Sequence, residues 1–411
     1  LRGGPRQHRR SGAFSAPARG GGPPPVIGAG PRRWAIIAGG GTAGHLQPAL
    51  AIAEALVEAG HGRDTIEFVG SRRGQDRVVL ATRGFPFTLL PGRGVRRSLA
   101  PDALAQNLVA LAHLAGAAVV GTVLVARRRP AVVVSVGGYA SIPAAVAAVV
   151  LRVPLVLVNV DAVPGAANRL FGRFARASAV GWEGAALPRA VVTGTPVRPE
   201  IAGVGRGAEA RRAARIELGL PADRPTVVVF GGSLGARRLN EAIDGVVHLW
   251  GDRCDRSVYH IVGRRDWAGR ARPAGTGAHG PTVVAVPYEE RMAVAYAAAD
   301  LVVSRAGAMT VAELALAGVP AVLVPLPGAP GDHQTANARA LAAAGAAVVL
   351  EDGSCDAARL ATTIDELLGD TARLAEMARA ARKAARPDAA RAAAALVSAS
   401  ARAQHRPEEA G

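Results

Sequence analysis

Only two of the 411 residues are cysteine, Cys254 and Cys355. They stand far apart without CxxC spacing, so neither a disulfide framework nor a zinc site is indicated, and a reducing cytoplasm is the default compartment. Aromatic residues are scarce, at 4%. They are too scattered to form stacking platforms for bases, and no nucleic-acid partner is expected. Acidic residues are the third shortage: 32 Asp and Glu face 49 Lys and Arg, a net charge of +17. That surplus suits an acidic partner such as nucleotide phosphates, a pyrophosphate lipid or an anionic membrane surface. Long uncharged runs are few. One stretch that could be mistaken for a membrane span, LVALAHLAGAAVVGTVLVA at 108–126, is rich in Ala and contains His113 and two glycines. A strand-like AVVVSVGG soon follows, so the stretch reads as a helix of an α/β unit with one face available to lipid.

Residues 1–33 hold seven arginines among Gly and Pro, without hydrophobic periodicity, and are expected to form a disordered basic tail. The chain opens on Leu1 and not Met, which reads as an over-extended start, and the tail lacks the apolar segment of a signal peptide. What remains is long for one core, so two domains are expected.

The remainder alternates strand and helix in two series. Apolar runs stand at 34–40, 65–70, 131–138, 154–160 and 190–194, and again at 226–232, 257–263, 282–288, 301–307, 321–326 and 347–352. Unbroken β-branched runs separated by Ala/Leu-rich segments imply parallel strands covered on both faces. The expected architecture is therefore α/β, with two doubly wound Rossmann-like domains facing a central cleft. The expected divisions are a first domain at 34–195, a linker at 196–224, a second domain at 225–385, and a C-terminal helix with a frayed tail at 386–411.

Three strand ends carry glycine clusters: AGGGTAG from Ala38, SVGGYAS from Ser135 and FGGSLGA from Phe230. Strand-to-helix turns need glycine in any case. Three such turns divided between two domains point to a cleft that binds something phosphorylated, through backbone N–H groups and helix N-termini. GGGTAG is a loose version of the dinucleotide fingerprint, and SRRG follows the second strand where a ribose-binding acid would stand, so a dehydrogenase is disfavoured.

His45 follows the first turn near a helix start, where the positive helix end favours a neutral imidazole and hence a base. Arg198, between Pro196 and Pro199 in TGTPVRPEI, is placed either to hold a pyrophosphate or to lie solvated in a loop. In SRAGAMTVAEL, Thr310 and Glu313 fit a capping box, or face a nucleotide. PGDHQTANARAL offers His333, Gln334 and Asn337 at another helix start; Gln334 and Asn337 share a face and suit a sugar.

Taken in order, GGGTAGHLQPALAIAEAL, SVGGYASIPA, AVPGAANRL, TGTPVRPEI, FGGSLGARRLN, SRAGAMTVAEL and DHQTANARAL resemble the MurG family of peptidoglycan N-acetylglucosaminyltransferases, over residues 34 to about 385. The resemblance implies a glycosyltransferase B-type fold. It implies inverting transfer of N-acetylglucosamine from UDP-N-acetylglucosamine to lipid I, giving lipid II, with no bound metal and no cofactor. Donor contacts would then fall on Thr42, Ala43, Gly44, Arg198, Ser233, a backbone group near Glu289, the segment Ala308, Met309, Thr310, Val311, Ala312 and Glu313, and on His333, Gln334 and Asn337. Glu313 would accept from ribose hydroxyls. His45 matches a suspected general base or acceptor contact, and Gly137, Gly138 and Tyr139 an acceptor-side turn.

The family usually carries Glu-Gln-Asn before AVPG, whereas this chain has Asn159, Val160 and Asp161. Asp161 becomes a second candidate base, and the change keeps open a paralogue acting on another glycolipid or natural product. A lipid-linked acceptor implies work at the cytoplasmic membrane face, where the 108–126 segment with Arg93, Arg96, Arg97 and Arg127 to Arg129 would meet an anionic surface, with other cell-wall synthesis proteins as possible partners. A nicotinamide enzyme and a non-catalytic sugar-nucleotide sensor are the rival classes.

Overall fold

A computed structural model describes residues 32–41, 43–72, 76–90, 101–232, 235–268 and 280–401, with backbone alone at 43 and 101–112. Nearly all of the expected basic tail lies outside these residues, as do Thr42, Ser233, Arg93, Arg96 and Arg97. Among the described residues thirteen strands, all paired in parallel, form two sheets. The first contains β1 (Ala35–Ala38), β2 (Ile66–Ser71), β3 (Phe87–Leu90), β4 (Val132–Ser135), β5 (Leu155–Asn159), β6 (Ala177–Val180) and β7 (Ala190–Val192), in the order β3-β2-β1-β4-β5-β6-β7. The second contains β8 (Thr226–Phe230), β9 (Ser257–Ile261), β10 (Thr282–Val286), β11 (Leu301–Ser304), β12 (Ala321–Leu323) and β13 (Ala347–Val349), in the order β10-β9-β8-β11-β12-β13. β3 and β6 have no counterpart among the sequence-derived runs. FTLL is brief and follows Pro86, and ASAV is built mainly of small residues with little β-propensity, so neither stands out as a run.

Each sheet buries both faces, which is why its strands read as unbroken apolar runs. In β1, Ala35 and Ile37 join one core cluster while Ile36 and Ala38 join the cluster on the opposite face. In β8, Val227 and Val229 divide from Val228 and Phe230 in the same way. This is the two-residue alternation of a strand with apolar chains on both sides. The Ala-rich 108–126 stretch lies within a helix, Pro101–Arg128, that packs against the helix Ile142–Val150. Among the described residues no helix is long and apolar enough to cross a membrane.

The chain crosses between the two units twice. After the first crossing, the segment read as a linker supplies Ile201, Ala214, Leu218 and Leu220 to the second unit's core. The second crossing follows the helix Thr371–Ala384, after which the helix Ala389–Ser400 returns to the first unit and buries Ala393, Ala394 and Val397 there. The crossings touch: a Cβ on Gly194 would lie 2.4 Å from Arg386 Cβ.

Both sheets change winding direction at their middle, between β1 and β4 and between β8 and β11. In open parallel sheets that point leaves a crevice at the carboxyl ends of the strands. The three glycine turns follow β1, β4 and β8, and SRAGAMT follows β11. The strand order therefore gathers all four at the two crevices.

Candidate active site

On the first unit's side, His45 lies against the Gly137–138 turn. Both glycines have positive φ, 92° and 75°. A Cβ on Gly137 would stand 3.4 Å from the His45 ring, and one on Gly138 3.2 Å. The turn therefore needs glycine twice over, for its backbone and for the imidazole. Burial in this seat pushes the His45 pKa below the usual histidine value; Asp161 and Asp76 draw it back up, while His333 across the cleft pushes it down. The result is a neutral base near pH 7.

The first glycine turn departs from an anion cradle. Asp76, buried at 2% exposure, accepts from Gly41 N at 3.1 and 2.9 Å and from Ser71 N at 2.9 Å. A carboxylate already occupies the amide that a phosphate would use, and would repel one there. Tyr139 lies over the same turn, with its hydroxyl 2.7 Å from Ser71 Oγ.

Between the units, Asn337 is fully buried. Its Oδ1 accepts from Ala162 N at 2.7 Å, and its Nδ2 donates to Asp161 Oδ1 at 2.9 Å and to Ala306 O at 3.1 Å. With its amide so committed, Asn337 joins the two units. Asn159 shapes the same loop by donating to Asp161 O at 2.7 Å. Nearby, Gln334 Oε1 accepts from Leu326 N at 2.9 Å, and His333 Nδ1 donates to Pro330 O at 2.8 Å, leaving its Nε2 for another partner.

A cavity of about 190 Å³ opens between the units. Its lining includes Gly44 and Gln47 from the first unit, Arg198 from the crossing, and Tyr288, Met309 and Glu313 from the second. The helix Ala308–Ala317 starts at Gly307 without a side-chain cap, so Thr310 already stands in its first turn and the capping-box reading fails. Glu313 instead accepts from Tyr296 Oη at 2.8 Å and has Arg198 Nη2 at 3.7 Å. Helical spacing divides the 308–313 segment. Met309 and Glu313 face this cavity. Val311 is buried in the second unit's core, Ala308 joins the first unit's cluster, and Ala312 lines a separate cavity of about 350 Å³ beside Trp182. The side chains of Ala308, Val311 and Ala312 thus do not line this cavity. Glu289 lines the cavity, but its carboxylate is held by Tyr259, Arg291 N and Arg291 Nε, leaving its backbone as the available group.

The Arg198 Nε is buried without a protein partner, a cationic donor left over inside the cleft. Two helix N-termini without side-chain caps, at Arg237 and Ala308, stand at the second crevice. Among the described residues no group of three or more His, Cys, Asp or Glu is placed to hold a metal ion.

Family models match both units: the glycosyltransferase family 28 N-terminal domain over residues 35–180 and its C-terminal domain over residues 226–392. A protein of Desulforudis audaxviator, named UDP-N-acetylglucosamine–N-acetylmuramyl-(pentapeptide) pyrophosphoryl-undecaprenol N-acetylglucosamine transferase, is 38% identical, covering 86% of this chain and 95% of its own. A protein of the same name from Alkalilimnicola ehrlichii is 42% identical, with the same coverages of 86% and 95%. The crystal structure of Acinetobacter baumannii MurG superposes with a TM-score of 0.70 at 29% identity, over 90% of this chain and 100% of that one. The chain belongs to glycosyltransferase family 28, in its MurG branch. Its two parallel-sheet units make the glycosyltransferase B-type fold, which the calicheamicin glycosyltransferase CalG4 shares at a TM-score of 0.60 and 18% identity, covering 90% of this chain and 98% of its own.

Several residues of this family 28 site escaped the sequence reading. Gln47 stands one helical turn beyond Gly44, a spacing that would have found it. Asp76 and Tyr296 gave no local signal, because each acts on a residue far away in the chain.

Proposed function

We propose that this protein transfers N-acetylglucosamine from UDP-N-acetylglucosamine to the lipid-linked muramyl-pentapeptide, lipid I, forming lipid II with inversion at the anomeric carbon. The observation that carries the reading is the cleft itself, where Gly44 and Gln47, on either side of a neutral His45 in one unit, line a cavity with Arg198 and Glu313, beside an uncapped helix start on the other. The second unit takes the nucleotide: Glu313 accepts from ribose hydroxyls, a backbone group near Glu289 meets the base, and Gln334 and His333 border the sugar. Arg198 and the helix ends stabilise charge gathering on departing UDP. His45 takes the proton of the attacking acceptor hydroxyl. UDP-release kinetics with UDP-N-acetylglucosamine and a panel of lipid-linked acceptors test the whole reading; no release with lipid I sinks it.

The acceptor's lipid requires work at the membrane, and we place the protein peripherally on its cytoplasmic face. The helix Pro101–Arg128 exposes Val119 and Val123, and Arg127 and Arg129 at its end are exposed, an apolar face beside positive charge. Flotation with anionic liposomes at low salt is expected to carry the protein upward. Recovery in the bottom fraction would remove this surface from the proposal.

A further inference from the structure

Glu313 lies at 8% exposure, and a buried carboxylate needs donors to stay ionised and to hold one orientation. Two groups serve it, one on each oxygen. Tyr296 Oη donates to Oε2 at 2.8 Å, while Arg198 Nη2 stands 3.7 Å from Oε1, beyond hydrogen-bond length. Oε2 is thus engaged, and Oε1 keeps its acceptor capacity. Tyr296 is fully buried within the helix Met292–Ala298, and the Phe230 ring meets it edge-on at 6.2 Å. Tyr296 also borders the cavity, and its hydroxyl lies on the axis of a ring held in the core, so the core fixes its position. Burial raises both the Tyr296 phenol and the Glu313 carboxyl, and Arg198 and Tyr296 partly restore the carboxylate.

We propose that Tyr296 is a positioning residue of nucleotide recognition: its hydroxyl turns the Glu313 carboxylate so that Oε1 meets the ribose hydroxyls. This rests on the reading of Glu313 as the ribose contact. Titration calorimetry with UDP and with 2′,3′-dideoxy-UDP separates the two. Tyr296→Phe keeps the ring and removes one oxygen; it is expected to weaken UDP binding roughly tenfold while changing dideoxy-UDP binding by less than about twofold. The acid limb of UDP binding moves to higher pH, because the ionised carboxylate has lost a donor. Equal losses for the two nucleotides, or no loss, overturn the proposal. If Glu313→Gln itself leaves UDP affinity unchanged, it is the reading of Glu313 that fails. Should the Phe variant melt early, the same titrations are run below its melting midpoint, and the loss must again be confined to UDP.

Discussion

His45 is the residue at which opposing fields meet. Burial against the Gly137–138 turn lowers its pKa, Asp161 and Asp76 oppose that, and His333 reinforces it. A base must be neutral to act, so activity is lost as pH falls through the lowered pKa, below the ordinary histidine value of 6.5. His45→Ala is expected to reduce kcat by roughly a hundred- to ten-thousand-fold with UDP binding largely kept. Unchanged turnover would take His45 out of the mechanism. Asp161→Asn restores the amide usual in the family and removes one group that favours the imidazolium, so the acid limb of the kcat profile moves to lower pH. A limb that stays in place would mean Asp161 does not act on His45. At this scale the sequence singles out His45, Arg198, Glu313 and Asp161 as polar groups in the segments that follow strands. It is silent on their partners, because Tyr296 reaches Glu313 and Asp76 reaches Gly41 only through folding.

Among the elements, the turn after β4 carries the strongest local constraint. With Gly138 at φ 75° and its prospective Cβ 3.2 Å from His45 Nδ1, even alanine must strain the backbone and displace the ring. Gly138→Ala is expected to cost about 1–3 kcal/mol of stability, seen as a lower thermal midpoint, and to lower kcat more than donor KM. A normal midpoint with full kcat would show that the turn relaxes freely. The helix after β11 teaches the converse. SRAGAMTVAEL carries the letters of a capping box, yet Gly307 starts the helix and Thr310 is already inside it. A motif of two residues does not specify which one begins the helix, and here the strand end decided it.

For the whole molecule, the link between the units is the telling feature. Asn337 satisfies Ala162 N, Asp161 and Ala306 O from a fully buried position. Asn337→Asp would set a second carboxylate beside Asp161. Neither can then ionise easily in the folded state, so their folded pKa values rise. Stability is retained at acid pH and lost as pH rises through those raised values, by about 3 kcal/mol near neutrality. Thermal melts at pH 5 and pH 8 check the sign: a wild-type-like midpoint at pH 8 would show that the two groups separate in solution.

Read alone, the amino-acid order established the alternation of strand and helix, the pair of parallel-sheet units and the glycine turns at strand ends. Each of these is a local periodicity or a local backbone requirement, visible within a few residues. Tertiary structure alone decided the strand order that gathers four turns at two crevices, and the loss of Gly41 N to Asp76. It also decided the division of the 308–313 segment between core and cavity, and the burial of Asn337 as a joint. Those outcomes depend on which distant groups come into contact, and a side chain's partner is set by the packing of whole sheets, not by its neighbours along the chain.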